Sequence, residues 1–436
     1  MSDTLQLKDH VCVECGAKAR MDARFVQWCT DCGHGADPGP AQPGRRAQRA
    51  AERERQRSLK LFESLRTAPD LRPTSAIGVA VTVLAAVVHL SSLALLVLPV
   101  LLVIAVHEEL WSCFVLVLAW MVLFVVRPRF FGRRPDPRAG VDRSTAPALY
   151  ALLDRCAAEL GCETPEYVRF DARFNASTGR AGVRRTSFLF LGLPLWSVLS
   201  GPERIALLGH ELAHQVNGDT THGLWAASAR RTISEWTRLL DPRQSRAERV
   251  ASARARRYRR GGSGIAGVFA PVLMAVLFAP FFLFALGCRA VLTRLDLYCG
   301  QRAEYLADEL GARLAGSAAA HGCMAALALG DAVLGFLTAA RNRQRGRRAA
   351  DAAGLWASVA QYVDSVPETE RQRRLIVDRL HNTRTDRSHP ANHLRLALLA
   401  ERPQVPAALT VTDAEWAAVD AELAPGHLAA ARAFLG

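Results

Sequence analysis

The stretch Ile205-Ala206-Leu207-Leu208-Gly209-His210-Glu211-Leu212-Ala213-His214 sets two imidazoles and a carboxylate in the pattern H-E-x-x-H. On a helix, residues four apart share one face a turn apart, so His210 and His214 can reach a single metal ion. Neutral imidazole suits zinc, and two such ligands leave room for a third ligand and a water. Glu211 falls beside the open position. There it can take a proton from an activated water and pass it to a leaving amine. Two histidines and a glutamate also meet by chance, so the pattern needs support from the rest of the chain.

A third ligand must come from elsewhere. In Ala303-Glu304-Tyr305-Leu306-Ala307-Asp308 the two acids stand one helical turn apart and share a face. One can bind a metal while the other accepts the free ring N–H of a ligand histidine and fixes its tautomer. Taken alone, two solvated acids on a helix explain this motif as well.

Cys12-x2-Cys15 and Cys29-x2-Cys32 form a second constellation, each pair followed by a glycine, Gly16 and Gly33. Glycine permits the tight turn that aims both sulfurs at one ion. Four thiolates close a tetrahedral structural zinc site, so residues 1–35 read as a zinc ribbon. Lys18, Arg20 and Arg24 between the knuckles are offset by Glu14, Asp22 and Asp31. The ribbon is therefore read as a protein-binding or regulatory module, and nucleic acid is not expected as its partner. Cys113, Cys156, Cys162, Cys288, Cys299 and Cys323 lie in apolar or helical contexts and read as core thiols.

These motifs need positioning elements, and composition bounds what those are. The chain has 436 residues, enough for more than one domain; 50% are hydrophobic and 22% charged, at a net charge of +14. The apolar residues come in blocks with arginines crowded beside them, which favours the anionic face of a membrane over nucleic acid as the basic surface's partner. The first 70 residues carry no apolar h-region, so the N-terminus is expected in the cytoplasm. Residues 36–74 are a Pro/Gly linker followed by a basic helix, Arg45 to Arg66, expected to be solvated, with a position on the membrane surface as the alternative.

Residues 76–106 carry no charge, and Leu110 to Val126 is a second apolar run after His107-Glu108-Glu109. Residues 75–127 thus read as a two-span hairpin. Arg66 and Arg72 before it, and Arg127, Arg129, Arg133 and Arg134 after it, put both ends in the cytoplasm.

Residues 128–436 read as the catalytic domain. Ala146 to Leu160 is an amphipathic helix with Ser144 or Thr145 as its cap and Gly161 as its stop. Glu166 to Phe170 and Thr186 to Gly192 read as strands. The second could be an edge that pairs with an extended peptide, or an ordinary core strand. Ser200-Gly-Pro-Glu-Arg204 starts the H-E-x-x-H helix, which runs to about Asn217-Gly218. From Glu401 the chain reads as short helices with proline joints.

H-E-x-x-H with a distant A-E-Y-x-A-D resembles the integral-membrane zinc metallopeptidases of the HtpX and CAAX-prenyl-protease type. Asn175-Ala176 with Gly179, Gly-Pro-Glu-Arg-Ile before the metal helix, Asn217-Gly218-Asp219 after it, and Ser388-His389-Pro390 with Arg395 fit the same likeness, over roughly residues 75–400. The resemblance implies Glu304 as third zinc ligand and Asp308 as the group that orients a ligand histidine. It implies His389 and Arg395 as stabilisers of the tetrahedral oxyanion, and quality control of membrane proteins as the role. The family usually has arginine three residues before the glutamate ligand; here Gln301 stands there and Arg302 follows.

Only one clear apolar block, Gly264 to Cys288, separates the two motifs. Thr221 to Leu240 carries Arg230, Arg231, Glu235 and Arg238 and is not expected to span. A single span would put His210 and Glu304 on opposite sides of the membrane. Residues 264–298 are therefore expected to form a hairpin bent near Ala279-Pro280, or an amphipathic pair on the surface.

The expected fold is mainly α with a small β-sheet: a gluzincin-like metallopeptidase domain with transmembrane helices and an N-terminal zinc ribbon. The expected protein is a multi-pass zinc endopeptidase of the cell membrane, with its ribbon and active site cytoplasmic. It would hold one catalytic and one structural zinc, act on polypeptides, and contact membrane lipid. The alternatives are an inactive membrane scaffold and a membrane-tethered regulator that acts through the ribbon.

Overall fold

The structure, a computed structural model, describes residues 7–37, 39, 44–72, 75–105, 140–181, 185–216, 219–239, 266–344, 352–382 and 389–436. The second apolar run and its arginines, the Arg243–Arg260 loop, Asn217-Gly218 and Ser388 lie outside the described residues. In chain order come β1 (Leu7–Val11), β2 (Lys18–Asp22), α1 (Arg45–Arg66), α2 (Ser75–Ala105), β3 (Gly140–Val141), α3 (Pro147–Leu160), β4 (Tyr167–Asp171), β5 (Ala176–Ala181) and β6 (Thr186–Gly192). There follow α4 (Leu193–Val198), α5 (Gly201–Val216), α6 (Asp219–Leu239), α7 (Ala266–Ala315), α8 (Ser317–Ala326), α9 (Gly330–Gln344), α10 (Leu355–Asp364), α11 (Glu368–His381), α12 (Asn392–Glu401) and α13 (Asp413–Leu435). The fold is mainly helical with small sheets, as expected.

The chain divides into two units. One holds Met1–Arg72, Arg133–Asn217 and Gly300–Gly436; the other holds Pro73–Gly132 and Gly218–Cys299. The first unit is built on a four-stranded sheet of order β3-β4-β6-β5. The alternating apolar residues of β6 bury Leu189 and Leu191 against Leu149, Tyr150 and Leu153 of α3, Trp196 of α4, and Leu208 and Leu212 of α5. β6 runs parallel to β4 and antiparallel to β5. It is therefore an interior strand, and the edge beside α5 is β5, which the sequence reading did not mark as a strand.

The start of α3 also differs from expectation. Ser144 and Thr145 turn back onto Asp142, and the helix N-terminus is closed by Glu422 of α13, whose carboxylate accepts the N–H groups of Ala148 and Leu149 at 2.7 and 3.0 Å. A carboxylate offsets the positive end of the helix better than a hydroxyl does. Gly161 ends α3 at φ 68°, as its position suggested.

α5 starts where the Ser-Gly-Pro-Glu signal places it, with the Ser200 N–H and hydroxyl both donating to Glu203. It then meets α7 at two glycines. A Cβ on Gly311 would stand 2.9 Å from the Ala206 carbonyl oxygen and 3.3 Å from the His210 nitrogen. A Cβ on Gly209 would stand 3.0 Å from Leu314 Cδ2 and 3.1 Å from Gly311 Cα. The two backbones touch, one residue before His210 and three after Asp308.

α1 is a helix over its expected residues, but its last turns are not solvated. Leu61, Phe62 and Leu65 bury against Leu71, Leu306, Leu394 and Leu398. Arg402 donates to the carbonyls of Leu65 and Ala68, and Arg66 pairs with Glu401 at 2.7 Å. The β1–β2 hairpin and its knuckles also seat on this unit. Trp28, Met21 and Ala36 pack with Ile376 of α11. Arg373 donates to the Ala36 carbonyl at 2.8 Å, and Arg24 to the Ser365 carbonyl at 3.1 Å.

The second unit corrects the expected path between the motifs. α7 is one continuous 50-residue helix through Ala279-Pro280, so residues 264–298 are not a hairpin bent there. In this unit α6, whose charges make it no expected span, packs beside α7. Its small stripe of Ala226, Ala229, Ile233 and Trp236 is buried, and Ala229, Ile233 and Trp236 pack with Ala85 and Val88 of α2 and Ala285, Cys288 and Leu292 of α7. The Thr232 and Thr237 hydroxyls bond carbonyls of their own helix, and Arg238 pairs with Glu235 at 2.7 Å. Averaging hydropathy over the segment hides that division of faces.

α2 contains an apolar stretch, Ala76–Ala94, long enough to cross a membrane, and Val79, Val83, Val87, Leu90 and Leu93 on it are exposed. Ser317–Arg343 meets the same length and composition, but its Cys323, Met324, Val333 and Leu337 are buried in the first unit's core.

Alanine is the better helix former by about 1 kcal/mol. Gly311→Ala is nevertheless expected to weaken zinc binding at least tenfold, because its Cβ meets backbone that cannot turn aside, as a few tenths of an ångström matter at a metal site. Gly209→Ala, which meets the end of a leucine, is expected to cost less. Zinc titration by calorimetry of both variants checks the order.

Candidate metal centre

Both ends of the H-E-x-x-H turn lie on α5, and both acids of the second motif lie on α7 just ahead of its contact glycine, Gly311. His210 Nε2 stands 3.4 Å from Glu304 Oε2, and His214 Nε2 stands 3.6 Å from Glu304 Oε1. The two imidazole rings are perpendicular, 5.0 Å apart at their centres. One donor atom from each of the three residues can be chosen so that all lie within 4.8 Å of one another. Donors about 2.1 Å from a tetrahedral ion lie about 3.4 Å apart, so the separations fit zinc. Glu304 Oε2 is buried and accepts no hydrogen bond from the described residues, a cost that a cation would remove.

Behind this set, Asp308 Oδ1 stands 2.9 Å from His210 Nδ1. Arg395 of α12, 1% exposed, closes on Asp308 with two bonds, Nε to Oδ2 at 2.8 Å and Nη2 to Oδ1 at 2.6 Å. Arg395 Nη2 is also 3.7 Å from Glu304 Oε2. His389 comes in from the segment before α12, its Nε2 3.2 Å from Glu304 Oε2 and its ring stacked at 6.5 Å on His210. Glu211 is buried and lines one cavity together with His210, Asp308, His389, Asn175 and Cys323. His210, Glu211, His214, Glu304, Asp308, His389 and Arg395 thus lie together where α5, α7 and the start of α12 meet, while the four cysteines lie apart at the N-terminus. Arg395 differs in its surroundings from an oxyanion donor: its guanidinium is committed to Asp308. Of the neighbours the sequence reading did not single out for the site, Asn175 sits just ahead of the edge strand, and Gly209 and Gly311 set the helix spacing. Arg302, one place after the family's usual arginine, donates to the carbonyls of Asp70, Leu71 and Arg72 instead.

The electrostatics follow from burial. Burial lowers the His210 imidazole, but the adjacent carboxylates of Asp308 and Glu304 outweigh it and hold it up to about 10. Burial, with the neighbouring His210 and His389, keeps His214 below its ordinary value against the pull of Glu304 and Glu211. Glu304 and Asp308 are both held below the usual carboxylate range against their burial, Glu304 mainly by His214 and His210 and Asp308 mainly by Arg395. The site is a buried cluster of ionised acids balanced by one arginine and imidazoles.

A second candidate centre is the N-terminal one. Gly16 and Gly33 adopt φ 74° and 77°, closing the two knuckles with bonds back to the carbonyls of Cys12 and Cys29. One sulfur from each of the four cysteines lies within 4.8 Å of the others. The Cys15 N–H pulls the Cys12 thiol down to about 6, while desolvation and crowding by the other thiols hold Cys32 up at about 12 against the His34 N–H, so these two sulfurs shift in opposite directions.

A model of peptidase family M48 matches residues 143–403. No curated protein and no solved structure matches the chain. The match begins just ahead of α3 and ends just past α12, so it takes in α5, α7 and α12 and leaves out the four-cysteine hairpin and α1.

Removing Arg395 would leave the buried Asp308 carboxylate without its two-bond partner. Arg395→Met is expected to lower the unfolding free energy by about 3–5 kcal/mol. Adding Asp308→Leu to it is expected to recover part of the loss. Urea unfolding of the two variants beside the parent measures both.

Proposed function

The chain belongs to peptidase family M48, a family of zinc metallopeptidases, and on that footing we propose that it is a membrane-anchored zinc endopeptidase. The observation that carries the reading is the triangle of His210, His214 and Glu304 at tetrahedral spacing, with a buried Glu304 oxygen that accepts no hydrogen bond from the described residues. These three residues would hold the catalytic zinc, which supplies an activated water and polarises the scissile carbonyl.

The rest of the chemistry belongs to the side chains. His210 donates its Nδ1–H to Asp308, which leaves Nε2 free as a ligand. Arg395 holds Asp308 in that orientation. Glu211 takes a proton from the attacking water and delivers it to the departing nitrogen. His389 stands on the same oxygen of Glu304 and is the group placed to donate to the tetrahedral oxyanion. Arg395 adds its charge from behind Asp308. β5 offers a strand edge beside α5 along which an extended polypeptide could add.

In this reading residues 1–35 are a ribbon holding a structural zinc on Cys12, Cys15, Cys29 and Cys32, and residues 36–74 link it to the membrane. Residues 75–127 anchor the chain, and residues 128–436 are the peptidase, including 264–298 in contact with lipid. The exposed apolar residues of α2, and Phe281, Leu283 and Phe284 on α7, support that anchoring. The ribbon and active site would face the cytoplasm, and the role would be quality control of membrane proteins.

Detergent-purified protein is expected to cut casein. Glu211→Gln is expected to keep its zinc and lose at least about 100-fold in rate. A Glu211→Gln variant that cuts as fast as the parent with full zinc would contradict the assignment of the base.

A further inference from the structure

His389 and Arg395 flank the first turn of α12, so whatever fixes that turn fixes both. Helix starts leave N–H groups without partners. Ala391 at the N-cap of α12 offers no side-chain bond. The group that stands there belongs to α11. Asp378 is buried, and its Oδ1 accepts the side-chain amide of Asn392 at 3.2 Å. The backbone N–H of His393 also acts on this carboxylate, while Oδ2 accepts no hydrogen bond from the described residues. Burial holds the Asp378 carboxyl up to about 6. It is a costly group to bury, and it sits where a carboxylate complements the positive end of a helix.

α11 is itself held from the far side. Its Glu370 binds Arg373, Arg373 donates to the Ala36 carbonyl, and His381 pairs with Asp37 at 2.7 Å. The helix that presents Asp378 to α12 is thus the helix on which the ribbon sits.

We propose that Asp378 is a positioning residue of the peptidase site: it anchors the N-terminus of α12 and so holds His389 over Glu304 and Arg395 on Asp308. The proposal rests on the metallopeptidase reading above. It assigns to α11, braced by the ribbon, the task of fixing α12. Small displacements of groups around a reacting centre cost rate far more than they cost binding. A displaced α12 would release Asp308 and, with it, the orientation of His210.

The test compares Asp378→Ala with Asp378→Asn, which keeps an acceptor at the same point. Two readouts are used: casein cleavage, split into kcat and KM, and zinc released across an EDTA series. His210→Ala protein supplies the share of zinc held by the ribbon. Asp378→Ala is expected to lose about tenfold in kcat with KM within about twofold, and to release active-site zinc at lower EDTA. Asp378→Asn is expected to stay within about twofold of the parent in both. Three results would overturn the proposal. One is Asp378→Ala matching the parent in both readouts. Another is the two variants losing equally. The third is a loss of kcat that follows only the unfolded fraction measured by circular dichroism. If the parent itself cuts nothing, the peptidase reading fails instead, and the EDTA series still decides whether Asp378 supports the metal site.

Discussion

The close crossing of α5 and α7 is the contact on which the candidate site depends. A metal ligand on each of two helices can share one ion only if the backbones approach to within a side chain's reach. Gly209 and Gly311 remove the two Cβ atoms that would hold these helices apart. The crossing falls next to His210 and less than one turn from Asp308, so imidazole and carboxylate meet at 2.9 Å. The ligand spacing, the buried ion pair of Asp308 with Arg395, and the stack of His389 on His210 all sit on this one approach. It needs close packing, since interiors transmit small misfits rather than absorb them.

Around the crossing the protein spends buried charge. Glu304, Asp308 and Arg395 are each almost inaccessible to water. Such a cluster is weak evidence for stability, because desolvation offsets much of the attraction. Its use is orientation. Arg395 grips Asp308 by two bonds, and Asp308 fixes the ring of His210. Glu304, ninety residues after His214 in sequence, comes to stand 3.6 Å from it.

The parts of this arrangement that lie within one turn of helix or one knuckle were legible in the sequence. His210 and His214 at four-residue spacing, Glu304 and Asp308 likewise, and the paired C-x-x-C-G knuckles are local patterns, and local geometry decides them. The helix from Arg45 to Arg66 and the strand from Thr186 to Gly192 were legible for the same reason. What depends on contacts between distant residues was not. Nothing local marks Gly209 and Gly311 as partners. Nothing near Ser144 says that Glu422 will close α3. The charges of α6 concealed its apolar stripe, which shows only when its neighbours are known. The ribbon and α1 read as separate modules because their seats on α11 and α12 lie hundreds of residues away.

Zinc-edge anomalous scattering from crystals of the zinc-loaded protein tests the central claim most directly. The account predicts one peak within about 2.0–2.2 Å of a ring nitrogen of His210, of His214 and of a carboxylate oxygen of Glu304. It predicts a second peak among the sulfurs of Cys12, Cys15, Cys29 and Cys32. A map with the ribbon peak present and none between α5 and α7, or a peak there that excludes Glu304, would contradict it.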